Sequence, residues 1–229
     1  MSKDQVAEKA QKMEGLAITN PAQFAHELHD MSAKERSKIV AKIKEDQSKD
    51  TSGALPHVEF FDSGNVKSVD SKSVNDKSHT ISHHTEFDRK SGKMTDDRTE
   101  DSVRGYTSAK EDKFDAQGHK LSHREENYNG SVVQDNYDPK NGARESTDYF
   151  FKNGSYKLHQ DFNTRTGQII RSTEHNQGST PDTTTDKTTS YENGKKYIED
   201  TVNGLGDVHH VVYNPNGTTQ WVEDSKGNR

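Results

Sequence analysis

Two rhythms of apolar and polar positions run along the chain, and they meet near residue 50. Before it, apolar residues recur at helical spacing: Val6, Ala10 and Met13, then Ile39, Val40 and Ile43. Capping residues precede these stretches. Ser2 stands before the first, Asn20 is followed by Pro21 with Gln23 in the capping-box place, and Ser32 is followed by Glu35. The pattern predicts three short helices over residues 1–50. Their apolar stripes are thin and a short helix is marginal alone in water. They must therefore dock on each other, on the rest of the chain or on a partner. "EDQSKDTSGALP", residues 45–56, reads as a linker.

Residues 57–229 keep a turn period instead of a helical one. Glycines fall at 92, 105, 118, 130, 142, 154 and 167, a spacing of 12 or 13 residues. The rhythm then loosens through Gly178, Gly194, Gly204 and Gly217. Several of these glycines sit in Asn-Gly pairs (129–130, 141–142, 153–154, 193–194, 203–204, 216–217), the strongest short-range hairpin signal because both residues tolerate positive φ. Between turns the residues alternate. Tyr156, Leu158, Gln160 and Phe162 share one face against Lys157, His159 and Asp161. Each strand offers few large apolar groups, mostly beside a turn, and the rest of both faces is polar. The pattern predicts a mainly β fold, an extended antiparallel β-meander of repeated hairpins, either single-layered or curled into an open solenoid. The short α-helical segment precedes it. "TPDTTTDKTT", residues 180–189, breaks the rhythm and reads as a loop.

Composition sharpens this picture. Only 26% of the 229 residues are hydrophobic and the mean hydropathy is -1.24, against an apolar fraction of roughly 45% in ordinary globular domains. Two packed layers with continuous apolar faces cannot be supplied over this length, so cross-strand pairs must carry much of the stability. The 32 basic and 38 acidic residues, net charge -6, are intermixed, with no basic block to mark a nucleic-acid surface. Cysteine is absent, which excludes disulfides and thiolate metal sites. The first residues, "MSKDQVAEKAQKMEGL", contain no apolar signal-peptide core, and no stretch has the length of a membrane span. The expected location is cytoplasmic, or outside the cell by a route that needs no signal peptide.

Candidate chemistry is sparse. "HELH", residues 26–29, spaces its histidines three apart, whereas the zinc-protease motif requires four. His79, His83 and His84 in "HTISHH" form the densest histidine group; His79 and His83 share a strand face, the one place where a metal could be assembled across strands. His209 and His210 lie far downstream. "DDRTED", residues 96–101, lacks the alternating oxygen ligands and glycine of a calcium loop. "NGS" at 129 and 153 and "NGT" at 216 fit the glycosylation pattern but coincide with turns. With no phosphate-cradling loop and no nucleophile elbow, the expectation is a protein that is not an enzyme. No catalytic, cofactor-binding or metal residues are assigned.

"FDAQGHKL" (114–121) resembles the YD repeats of Rhs-type proteins: an aromatic-Asp pair, a short gap, Gly, a basic residue and Leu. "FDRKSGKM" (87–94), "YDPKNGAR" (137–144), "FNTRTGQI" (162–169) and "YNPNGTTQW" (213–221) are looser copies. "YENGKKY" (191–197) and "FFKNGSYKL" (150–158) are more similar to YwqK-type antitoxin repeats. The resemblance implies β-hairpin repeats and a place in a bacterial toxin system. Rhs repeats enclose toxins with far longer chains than this one, and the family supplies no catalytic residues to carry over.

The function expected from residues and resemblance is a non-enzymatic structural or protein-interaction module, an exported bacterial surface or toxin-system component. Its partner is another protein or a second copy. A cytoplasmic antitoxin-like immunity protein is one alternative, and a carbohydrate-binding or carbohydrate-active protein is another, so a glycan remains open as a ligand. Nucleic acid and membrane insertion are not expected. Residues 1–50 form the helical segment and residues 57–229 the repetitive sheet.

Overall fold

The computed structural model describes residues 1–76 and 78–225. Residue 77 and residues 226–229, within the 57–229 region expected to form the sheet, lie outside the described residues.

Three helices open the chain: α1 (Lys3–Thr19), α2 (Pro21–Asp30) and α3 (Ala33–Lys49). Each begins on the cap its sequence announces. The Ser2 side chain accepts from the Gln5 N–H in a full capping box, Asn20 accepts from the Gln23 N–H, and Ser32 from the Glu35 N–H. The last helix runs five residues into the stretch read as a linker. Its final turns carry Lys42–Asp46 and Glu45–Lys49 pairs at helical spacing, which support it there. Asp50 then ends it, and its carboxylate accepts from the N–H groups of Ser52, Gly53 and Leu55 and from the Ser52 hydroxyl. Those bonds, the hydroxyl's first, hold its pKa at about 2.

The remaining chain is a long antiparallel meander in sequence order. The strands are β1 (His57–Phe60), β2 (Val66–Asp76), β3 (His79–Phe87), β4 (Met94–Val103), β5 (Tyr106–Phe114), β6 (Lys120–Glu126), β7 (Ser131–Tyr137), β8 (Arg144–Phe151), β9 (Tyr156–Phe162), β10 (Ile169–Asn176), β11 (Thr185–Glu192), β12 (Lys195–Asn203), β13 (Val208–Tyr213) and β14 (Thr219–Asp224). The chain divides into two compact units, Met1–Lys120 and Leu121–Arg229.

In the first unit the helices do not pack only on one another. Met13, Phe24, Leu28, Ile39 and Ile43 are fully buried, and they share one cluster with Val58, Val66, Val69 and Phe87 of the first three strands. Burying each such side chain contributes roughly 1.5–3 kcal/mol, so this cluster is the main apolar store of the unit. The helices therefore cover the strand face that carries Val58, Val69 and Thr85, a row fixed by the register Val58↔Val69↔Thr85. In the second unit the buried apolar residues are few, Val132, Phe162, Val211 and Val212, joined by small polar ones such as Ser172 and Thr189.

Turns explain the glycine period. The glycines from 92 to 167 all have positive φ, as do Gly194 and Gly217, a region that strains any residue with a Cβ. The Asn-Gly turns work differently from the expected pairing of two positive φ values. Among the described residues only Arg104 and Asn193 join a following glycine at positive φ. Elsewhere the Asn keeps ordinary φ and its side chain holds the turn. Asn129, Asn153 and Asn216 each accept the backbone N–H two residues on; Gly130, Gly154 and Gly217 each donate to the carbonyl three residues back. This is a type I turn followed by a left-handed glycine.

Two glycines in the irregular part of the period do other work. Gly178 and Gly204 have no positive φ. A Cβ on Gly178 would lie 2.3 Å from the Thr183 carbonyl carbon, and one on Gly204 would lie 2.5 Å from the Pro181 carbonyl oxygen. Gly178 is needed because the 177–184 connection folds back on itself at its short 3-10 turn, Pro181–Thr183, and Gly204 because that same turn packs against the 203–207 turn. There the left-handed residue is Gly206. The threonine-rich stretch read as a loop is strand from Thr185 onward, because β-branched residues suit an extended, half-buried ladder.

Candidate interaction surface

Aromatic-Asp pairs sit where one strand ends and a turn begins. The Asp115 N–H donates to the His119 carbonyl, and the Gly118 N–H donates back to Asp115. The Asp115 carboxylate meanwhile accepts from the N–H groups of Gln117 and His119. Asp88, Asp138 and Asn163 repeat the device, each accepting the N–H two residues on. At Asp88 the Ser91 backbone and hydroxyl hold the carboxyl below the usual range. The basic residue of the motif also has a place: Lys120 lies over the Phe114 ring at 5.9 Å and pairs with Asp112 at 2.9 Å. The repeated motif is thus a hairpin closure.

Strand faces carry charge in matched pairs. A basic residue and an acidic one two positions later share a face and bond: His84–Glu86 at 3.4 Å, Arg98–Glu100 at 2.7 Å, His123–Glu125 at 3.3 Å, Arg124–Glu126 at 2.6 Å and His159–Asp161 at 3.0 Å. Register adds partners across the seams. Asp70 lies opposite His84 and bonds it at 2.6 Å, Asp148 lies opposite His159 at 3.0 Å, and Asp186 opposite His175 at 2.7 Å. His210 is bonded by the opposite Asp200. The spacing of a histidine or arginine before an acidic residue at i+2 was available in the sequence as a same-face signal; the cross-strand partner depends on register.

The candidate metal group is not assembled. His83 bonds Asp97 at 2.5 Å and His79 bonds Asp101 at 2.9 Å on the helix-covered side of the sheet, while His84 points to the other side. The His83 bond holds the Asp97 carboxyl below its ordinary range against partial burial. Among the described residues no group of three or more His, Cys, Asp or Glu is arranged to hold a metal. In "HELH", His26 pairs with Asp30 at 2.9 Å, and the His29 ring packs on Gly92. His209 is exposed and lies opposite Asp224, on the other face from His210.

Apolar surface is concentrated on the last three strands of the second unit. Ile198, Val212 and Trp221 form one cross-strand row, and Val202 and Val208 face each other on the same side. Val202 is 36% exposed, Trp221 38%, Val208 40%, and Leu205 at the adjoining turn 66%. The His210 ring lies 4.9 Å from that of Trp221 within this strip. The other face of this unit carries an aromatic group, Tyr149 with Phe151 and Tyr156 at 5.8 Å each, edge to face. Among the described residues no helix is long and apolar enough to cross a membrane.

No family model matches the chain, and no curated protein matches it. Among solved structures it has a low-identity likeness to one titled "Crystal Structure of TcdB2-TccC3-Cdc42", at 9% identity and a TM-score of 0.20. The match covers 76% of this chain and 14% of that one.

Proposed function

We propose that the protein is a non-enzymatic protein-interaction module, a component of a bacterial toxin or surface system whose repeated hairpins present a self-neutralised sheet. The exposed strip of Val202, Leu205, Val208 and Trp221 carries this reading. In a chain with so little apolar side chain, these four residues on the last three strands and their adjoining turn remain substantially exposed to water. The two apolar rows flank the Asp200–His210–Glu223 row on one sheet face; exposed apolar surface rimmed by polar residues marks contact with another protein, and tryptophan is enriched at the energetic centre of such contacts. Elsewhere on the sheet many charged side chains pair with one another along and across the strands.

Sedimentation and chemical cross-linking of the full chain, alone and with the products of genes adjoining its own, test the reading. A complex that the Val208→Ser, Trp221→Ala double variant loses, with its circular dichroism unchanged, supports it. A chain that stays monomeric and uncomplexed while a substrate screen detects turnover overturns it.

A further inference from the structure

The same arrangement of three titratable groups occurs in both compact units. In the first, His84 on β3 bonds Asp70 on β2 at 2.6 Å and Glu86 on its own strand at 3.4 Å. In the second, His159 on β9 bonds Asp148 on β8 at 3.0 Å and Asp161 on its own strand at 3.0 Å. In both, one ring nitrogen faces each carboxylate. A neutral imidazole has one N–H and can donate to only one of them; an imidazolium donates to both. With two anionic acceptors in place, the site is complete only when the ring carries two protons.

We propose that His84 and His159 are proton-operated fasteners, whose protonation between two carboxylates tightens the β2–β3 and β8–β9 seams as the surroundings turn mildly acidic.

The surrounding charges do not cancel this. Opposite His84 on β4 stands Arg98, but its guanidinium is engaged by Glu100 at 2.7 Å and Glu111 at 3.6 Å, and Asp96 adds a further negative charge on that strand. Lys72 on β2 shares the face, and His57 on β1 lies beyond Asp70. Next to His159, β10 presents uncharged Thr173 directly opposite. Arg171 lies opposite Asp161, and His175 lies opposite the exposed Lys157 while bonding Asp186 on its far side. Each ring is part-buried: burial disfavours the charged form, but the bonds and charges of the two carboxylates outweigh it, so both histidines are raised above the ordinary 6.5. His84 also borders an open hollow of about 520 Å³ beneath the 53–57 connection, so protons reach it through water.

The sign follows from linkage. A group raised in the folded state contributes stability that is complete below its unfolded value and is lost as pH rises through its folded value. From about pH 5.5 upward exposed carboxylates stay ionised, so this part of the response belongs to histidine. Histidine side-chain NMR of the full chain between about pH 5 and 9 tests the proposal. His84 and His159 should titrate above the ordinary value, and each should shift down in Glu86→Gln and Asp161→Asn respectively. In urea titrations the wild type should have its higher midpoint at the acidic end, and the His84→Gln, His159→Gln double variant should lose part of that difference. Titration of either ring at or below the ordinary value overturns the proposal, as does an unchanged titration in the carboxylate variants. If the double variant fails to fold, the wild-type and carboxylate-variant titrations decide alone.

Discussion

Gly154 and Gly204 both belong to Asn-Gly pairs, yet the structure requires glycine at each for a different reason, and substitution separates the two. Gly154 has φ of 78°, and a Cβ there would meet nothing within 4 Å. Its replacement by Ala therefore costs only the left-handed backbone, about 1–2 kcal/mol, or roughly a 5- to 30-fold loss in the folded-to-unfolded ratio. Asn tolerates that conformation and should recover part of the loss. Gly204 has an ordinary φ, but its Cβ would lie 2.5 Å from the Pro181 carbonyl oxygen. Ala there must push two turns apart, Asn brings at least as much bulk, and no recovery is expected. Trp221, the only tryptophan, reports the second unit directly, so urea titrations followed by its fluorescence measure both pairs of variants. Ser155→Val, immediately before β9, is a control that should cost less than Gly154→Val. If Asn rescues position 204, or fails to improve on Ala at 154, the assignment of conformation to one glycine and contact to the other is wrong.

Asp115→Ala should lower the melting temperature of the first unit, because the turn loses the acceptor for the Gln117 and His119 N–H groups, while Asp115→Asn should lower it less because an amide oxygen can still accept from both; thermal melts of the two compare them. Deleting residues 1–50 strips the cover from Val58, Val66, Val69 and Phe87, so hydrogen exchange should show β1–β3 losing protection, and unchanged exchange there would contradict the shared core.

The helices were legible down to their caps, because Ser2, Asn20 and Ser32 act through N–H groups three residues away. The same locality made the regular hairpins legible: positive φ at Gly105 or Gly130 is a demand of the turn itself. Reading failed where the determinant was remote. Gly178 and Gly204 look like turn glycines but answer to Thr183 and Pro181. The clamps on His84 and His159 were half visible, as an acidic residue two places on. Their other halves, Asp70 and Asp148, depend on how many residues each turn consumes. His79, His83 and His84 looked like one cluster because they are near in sequence, but strand alternation sends His84 to the opposite face and register gives each histidine its own aspartate.

How a chain this poor in apolar side chains holds its strands leads to a final expectation. Exposed ion pairs contribute about 0–1 kcal/mol each, so the charge ladders align the seams more than they stabilise them. The larger contribution is burial, and it is unevenly shared: the helix-covered cluster lies wholly in the first unit, whereas the second buries only a few valines and Phe162 among its apolar groups. Helices α1–α3 also lie in the first unit, so the helical far-UV signal follows that unit while Trp221 fluorescence follows the other. In urea the fluorescence transition should come first and be the shallower, since the slope scales with the surface newly exposed. Coincident transitions with equal slopes would mean that seam hydrogen bonds transmit the stability of the helix-covered strands through the meander, and that burial within each unit does not set its resistance to unfolding.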